Sequence, residues 1–146
     1  MFSFVISVEI AAPASRVWRA LCDPAEVVRW DTGVAAALDA PADYPRPGQH
    51  VRWRYANGPF RILHDRPIEV VPDERLRALL KVGPLSLDEA YILEPVSGGT
   101  TLTAWMRLRA PIWIGGVLLE RFYAGPATRS TVTASLAAIK RHCESG

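Results

Sequence analysis

Apolar and polar side chains alternate along most of this chain, and only in the last third does the spacing change. Phe2, Phe4, Ile6, Val8 and Ile10 are separated by Ser3, Val5, Ser7 and Glu9, the period-two pattern of a strand with one buried face. The pattern returns in Val51, Trp53 and Tyr55, and in a strand from Phe60 to about Val71. It recurs in Leu76, Ala78, Leu80 and Val82, in Leu85, Leu87, Tyr91 and Leu93, and in Leu102, Ala104, Met106 and Leu108. Turn residues punctuate these runs: Asn57-Gly58, a strong hairpin signal, then Pro72-Asp73-Glu74, Gly83-Pro84 and Ser97-Gly98-Gly99. A weaker strand of low-propensity alanines spans about Val34 to Leu38. The loop at 41–48 is kept irregular by Pro41, Pro45, Pro47 and Gly48.

After Pro111 the period becomes helical. Leu118, Phe122, Gly125, Arg129, Val132, Leu136, Ile139 and Cys143 recur at spacings of three and four, which puts them on one helix face. All but Arg129 are small or apolar. Such a stripe must be buried against something large, and the preceding strands supply a curved sheet. Between the first two strands, Pro13 opens a short helix with Val17, Trp18 and Leu21 inward. Asp23 as N-cap, Pro24 at N1 and Glu26 at N3 open another, with Val27, Val28 and Trp30 on its apolar side. The expected class is α+β, a single domain over 1–146. An antiparallel seven-stranded sheet wraps a long C-terminal helix, with two short helices in a V after strand one.

Composition narrows the function. A chain of 146 residues can bury a core and a cavity. It is 49% hydrophobic, yet no apolar run approaches the roughly 20 residues of a membrane-spanning helix. Residues 1–8 lack a basic leader and a cleavage site, so no signal peptide is expected. Cys22 and Cys143 are too far apart for a disulfide framework, which fits reduced thiols and a cytoplasmic setting. A net charge of +2, without a basic cluster interleaved with aromatics, speaks against nucleic acid. His50, His64 and His142 lack metal-ligand spacing, and there is no glycine-rich phosphate loop, so neither metal nor cofactor is expected. Oligomeric state is not encoded in any feature of the sequence.

The chain resembles the SRPBCC superfamily, the helix-grip fold of START domains and birch-pollen-allergen-like proteins. The likeness starts in Ile10-Ala11-Ala12-Pro13-Ala14-Ser15-Arg16-Val17-Trp18-Arg19-Ala20-Leu21-Cys22-Asp23-Pro24 and the following Trp30. It continues in Glu94-Pro95-Val96-Ser97-Gly98-Gly99-Thr100-Thr101-Leu102-Thr103 and ends in Leu136-Ala137-Ala138-Ile139-Lys140. These motifs are structural, and they identify the fold rather than an activity. The branch they resemble is that of polyketide cyclases/dehydrases and lipid-transport proteins. The resemblance implies an apolar cavity between sheet and long helix that holds a small apolar molecule, such as a lipid or polyketide. The segment from Ile112 to Tyr123 departs from the branch in being unusually apolar, and Gly115-Gly116 and Gly125-Pro126 interrupt the closing helix there.

In such a cavity, polar residues on inward faces would carry the specificity. Alternation puts His64 and Arg66 on the face of Phe60, Ile62, Ile68 and Val70, unless a β-bulge turns them outward. It puts Glu89 among Leu85, Leu87, Tyr91 and Leu93, and Arg129 on the helix stripe. Glu89 and Arg129 read either as a structural ion pair or as ligand contacts, with Arg129 holding a carboxylate or enolate. Trp53, Tyr55, Phe60, Tyr91 and Phe122 complete the candidate ligand-binding set. The leading reading is a binder of a small apolar molecule. A second is an aromatase/cyclase or dehydratase using His64 and Arg129. A third is a co-chaperone-like or membrane-associated module that docks through Trp113 and Ile114. Residues 112–125 read equally as a mobile cavity wall or as a kinked helix packed on the sheet.

Overall fold

The computed structural model of the protein describes residues 1–56 and 59–145, so the expected Asn57-Gly58 turn lies outside the described residues. The elements run β1 (Phe2–Ile10), α1 (Ala14–Cys22), α2 (Pro24–Trp30), β2 (Val34–Ala37), β3 (Val51–Tyr55) and β4 (Ile62–Val71). They continue with β5 (Arg75–Val82), β6 (Leu85–Val96), β7 (Gly99–Arg109), a 3₁₀ turn (Ile112–Ile114) and α3 (Gly116–Leu119). A π turn (Glu120–Ala124) then leads into α4 (Gly125–Glu144). Among the described residues, seven strands form one antiparallel sheet in the order β1-β7-β6-β5-β4-β3-β2. This is the helix-grip α+β class. No helix among the described residues is long and apolar enough to cross a membrane.

The period-two reading holds in β1 and β7, at one side of the sheet. Phe4 and Ile10 of β1, and Leu102, Ala104, Met106 and Leu108 of β7, are buried on the inner face. Val17 and Leu21 of α1 pack onto this surface with Val132, Leu136, Ile139 and Cys143 of α4, while Trp18 is half-buried at its margin. Asp23 caps α2 as expected, its Oδ1 accepting from Ala25 N–H at 3.0 Å. Glu26 does not reach back to that cap. It is buried and accepts instead from Arg16 Nη1 at 2.7 Å and Arg19 Nε at 3.0 Å. His142 Nε2 lies 2.8 Å from the same carboxylate. Burial pushes Glu26 upward, but the hydrogen bonds from His142 and Arg16, helped by the charges of Arg16 and Arg19, hold it below the usual range. One carboxylate thus ties α1, α2 and α4 together.

The last turn of α4 also closes onto β1. Lys140 Nζ donates to the Glu9 carbonyl at 2.7 Å, and Glu144 Oε2 accepts from Ala11 N–H at 2.8 Å. Gly98, at φ +85°, supplies the turn before β7. Gly99 is needed for space rather than angle, because a Cβ there would overlap the Ile10 carbonyl.

Two expectations fail, each for a local reason. The inner face of β4 is Leu63, Asp65 and Pro67, because these pair with Val82, Leu80 and Ala78 on the inward side of β5. An irregularity between Pro67 and Glu69 then inserts Ile68 as an extra residue and returns Val70 inward, opposite Leu76. His64 and Arg66 therefore face outward, as do Ile62 and Ile68 on the same side. The second correction concerns the closing helix, which runs through Gly125-Pro126 without a break. The π turn adds a residue, with Gly125 N–H bonded to the Glu120 carbonyl, and so rotates everything before it. Leu118 and Phe122 leave the buried stripe, and Gly116, Glu120 and Ala124 take their place.

Two substitutions check this account. Asp23→Ala should lower stability by about 1 kcal/mol in urea titrations through the lost cap, and wild-type stability would place the start of α2 elsewhere. Gly125→Ala should cost about 1–3 kcal/mol by overpacking, since its Cβ would strike the Phe2 ring and the Glu120 carbonyl. An unchanged midpoint would mean that α4 does not approach β1 this closely.

Candidate functional site

A cavity of about 100 Å³ lies beneath the helix pair, not beneath the long helix. Leu21, Val27, Trp30 and Asp31 form its roof, and Tyr44 of the 38–50 loop closes one side. Val34 and Trp53 come from β2 and β3, Leu63 and Asp65 from β4, Leu76, Ala78 and Leu80 from β5, and Glu89 and Tyr91 from β6. None of these lining residues belongs to α4. This corrects the expected position between sheet and C-terminal helix. Trp30 is fixed in the roof because its indole N–H donates to the Ala20 carbonyl at 2.8 Å.

Most of the wall is apolar or aromatic, and its charged groups all have one sign. Asp31, Asp65 and Glu89 line it, with no basic residue among the described lining. Asp65 is 5% exposed. Its Oδ2 accepts from Tyr44 O–H at 2.6 Å and from Trp53 Nε1–H at 3.1 Å, and the Tyr44 and Trp53 rings meet edge-on at 5.7 Å. Its Oδ1 is buried with no protein partner. Burial raises Asp65 above the usual carboxylate range, against the opposing bonds from Tyr44 and Trp53.

Asp31 accepts from Gly33 N–H at 3.0 Å and from Ser135 O–H at 3.4 Å. Burial still leaves its carboxyl raised. Glu89 keeps some surface free because it faces the cavity, yet it lies deep in the protein. Burial, then repulsion from Asp65 and Asp31, pushes it up to about 8, with only a weak bond from Tyr91 O–H at 3.4 Å opposing. Burial and neighbouring carboxylates also raise the Tyr44 and Tyr91 phenols well above their ordinary value. At neutral pH the cavity thus presents a neutral Glu89 and two phenols, beside the Asp31 and Asp65 carboxyls, to whatever enters. Among the described residues, no group of three or more His, Cys, Asp or Glu side chains is placed to hold a metal ion.

Of the residues singled out in the sequence, Trp53, Glu89 and Tyr91 meet in this cavity. Tyr55, half-buried one pleat beyond Trp53, and Phe60, 42% exposed and set against Gly83, do not line it. His64 faces outward, its Nδ1 2.8 Å from His50 Nε2. Arg66 borders a separate open depression of about 440 Å³, with Lys81, Asp88 and Arg107. Phe122 faces solvent. Arg129 is exposed and lies with its guanidinium 5.8 Å from the Phe4 ring centroid, not beside Glu89. Asp31, Asp65 and Tyr44 escaped the sequence reading. The signal for Asp65 was Pro67, two residues on, since a proline in mid-strand marks a bulge and a reset of phase.

Residues 1–144 match the family described as polyketide cyclase/dehydrase and lipid transport. No curated protein matches the sequence. Among solved structures, a protein of Chromobacterium violaceum superposes with a TM-score of 0.77 at 22% identity, covering 97% of this chain and 96% of that one. The Aha1 dimer of Colwellia psychrerythraea gives 0.76 at 13% identity, covering 99% and 97%. DynU16, from the dynemicin biosynthetic locus, gives 0.69 at 22% identity, covering 99% of this chain and 49% of that one. At these identities the likeness is one of fold.

The protonation pattern can be tested through stability. In the unfolded chain Glu89 titrates near roughly 4.3, and in the folded protein at about 8. Between those values the native state holds more protons, so stability is greatest at low pH and is lost as pH rises through the folded value. The slope approaches about 1.4 kcal/mol per pH unit. Asp31 and Asp65, also raised by burial, contribute with the same sign, so the comparison is made on the difference between wild type and Glu89→Gln. That difference should move in favour of the variant from about pH 5 to about pH 9. A constant difference across the series would mean that Glu89 is ionised in the fold.

Proposed function

This chain belongs to the polyketide cyclase/dehydrase and lipid transport family of the SRPBCC superfamily, and on that premise we propose that it binds a small ring-bearing molecule that presents a hydrogen-bond donor. Family membership supports a ligand-binding or polyketide-related role. The observation that carries the finer reading is the unpartnered Oδ1 of Asp65, buried in an apolar wall beside Tyr44 and Trp53. A buried acceptor without a donor costs free energy, and a ligand hydroxyl would remove that cost.

Size sets a second limit. The cavity of about 100 Å³ is smaller than the roughly 150 Å³ known to take up benzene. One aromatic ring is about what it accommodates, with modest yielding of the wall. A larger polyketide would lodge one ring here and leave the rest past the Tyr44 loop. A lipid chain would need the helix pair to open.

Calorimetric titration with phenol and with its methyl ether, anisole, tests the donor. Phenol should bind at least about tenfold more tightly, because anisole leaves the Asp65 acceptor unpaired. Equal affinities, or none for either compound, would sink the reading.

One observation favours a second, catalytic role for the same cavity. Glu89, neutral near pH 7, lines the same cavity as Asp65, and one carboxyl as acid with another as base is the pairing that elimination of water from a β-hydroxy ketone needs. This reading uses Glu89 and Asp65 in place of His64 and Arg129. It requires turnover that Glu89→Gln abolishes while phenol binding persists.

A further inference from the structure

The segment after β7 is amphipathic the wrong way round. Its buried positions are Gly116, Glu120 and Ala124, while Ile112, Trp113, Val117, Leu118, Phe122 and Tyr123 are each 65–93% exposed. A helix in water normally turns its large apolar side chains toward the core. Here the orientation is fixed from beneath. Glu120 Oε2 accepts from Ala110 N–H at 2.8 Å, and its other oxygen pairs with the Met1 ammonium. Next to it, Gly125 sits against Phe2 with no room for a side chain. Turning the apolar side inward would bring Glu120 out and break both contacts. The exposed face is therefore built to stay outside, and a contiguous apolar surface of this kind marks an interaction site.

We propose that this face docks on an anionic lipid bilayer. Charge selects that occupant. From residue 109 to 129 the charged side chains are Arg109, Arg121 and Arg129, all exposed, and Glu120, which is buried. An apolar segment whose own exposed charges are all arginines is what a surface of anionic headgroups attracts. A second copy of the chain is disfavoured, because a two-fold contact through this patch would set the arginines of one copy against those of the other. The residue types agree with a shallow position. Trp113 and Tyr123 suit headgroup level, where aromatic rings with a polar edge concentrate, and Leu118 and Phe122 can enter the acyl boundary. Arg121 lies with its guanidinium 5.8 Å from the Phe122 ring centroid, so charge and apolar anchor sit side by side. No residue of 109–129 lines the cavity, and docking here is independent of what the cavity holds.

Co-sedimentation of the full chain with phosphatidylcholine vesicles, with and without equimolar phosphatidylglycerol, tests the proposal. Binding should appear with the anionic vesicles at low salt, weaken at high salt and be marginal on the neutral ones. The double variant Trp113→Ser/Phe122→Ser should bind the anionic vesicles at least about tenfold more weakly. Both positions are exposed, so its thermal melt should match wild type, which separates lost docking from lost folding. Arg109→Gln/Arg121→Gln should reduce both the binding and its salt sensitivity. Absence of binding to anionic vesicles would overturn the proposal, as would equal binding to neutral ones. A wild-type dimer that the Trp113/Phe122 variant converts to monomer, without any vesicle binding, would assign the patch to self-association instead.

Discussion

A carboxylate removed from water must find donors, and the candidate site is built around how Asp65 meets that demand. Its neighbours on the inner face of β4 are Leu63 and Pro67, which offer none. The donors come from elsewhere: the Trp53 indole from the adjacent strand and the Tyr44 hydroxyl from a loop without regular structure. The Tyr44 bond draws that loop over the sheet and makes it a wall of the cavity. Partial satisfaction matters as much as the bonds themselves, because only one of the two oxygens is used. A fully satisfied Asp65 would be a structural staple; a half-satisfied one leaves an acceptor unmet in an apolar wall.

The dominant periodicities of the fold were legible in the sequence, because period two and the three-four spacing reflect burial directly. The inward set of β1, β5, β6 and β7 follows from that alternation, and the Asp23 cap from the Asp23-Pro24 helix-start signal. The site was less legible, since it depends on phase rather than period. On β4 both faces carry apolar residues, with Ile62 and Ile68 on one and Leu63 and Pro67 on the other. Alternation alone could not choose between them. Pairing with β5 and one extra residue at Ile68 made the choice, and it put Asp65 inside and His64 outside. Glu89 lay on an unambiguous strand and was found. Asp31 and Tyr44 lie outside regular strands and helices, where no period speaks.

The closing helix shows the same sensitivity to a single inserted residue. From Val132 to Cys143 the stripe predicted from spacing is the buried one. Before Gly125 the π turn rotates the chain, so Leu118 and Phe122 leave the grip and the small side of α3 enters it. The cavity lies under the helix pair, and none of its lining comes from α4. The Glu26 carboxylate holds that pair to α4 through Arg16, Arg19 and His142.

An open sheet ends in two strands with one unpaired side each, and β1 is one of them. Its nine residues alternate regularly and would template another chain if left bare. Lys140 and Glu144 occupy part of that side by binding the Glu9 carbonyl and the Ala11 amide. The last turn of α4 thus acts as a guard against runaway strand addition, with Lys140 lying 131 residues on from the Glu9 carbonyl it covers. β1 precedes α4 in the chain, so during synthesis it must remain without this protection until α4 has been made and packed.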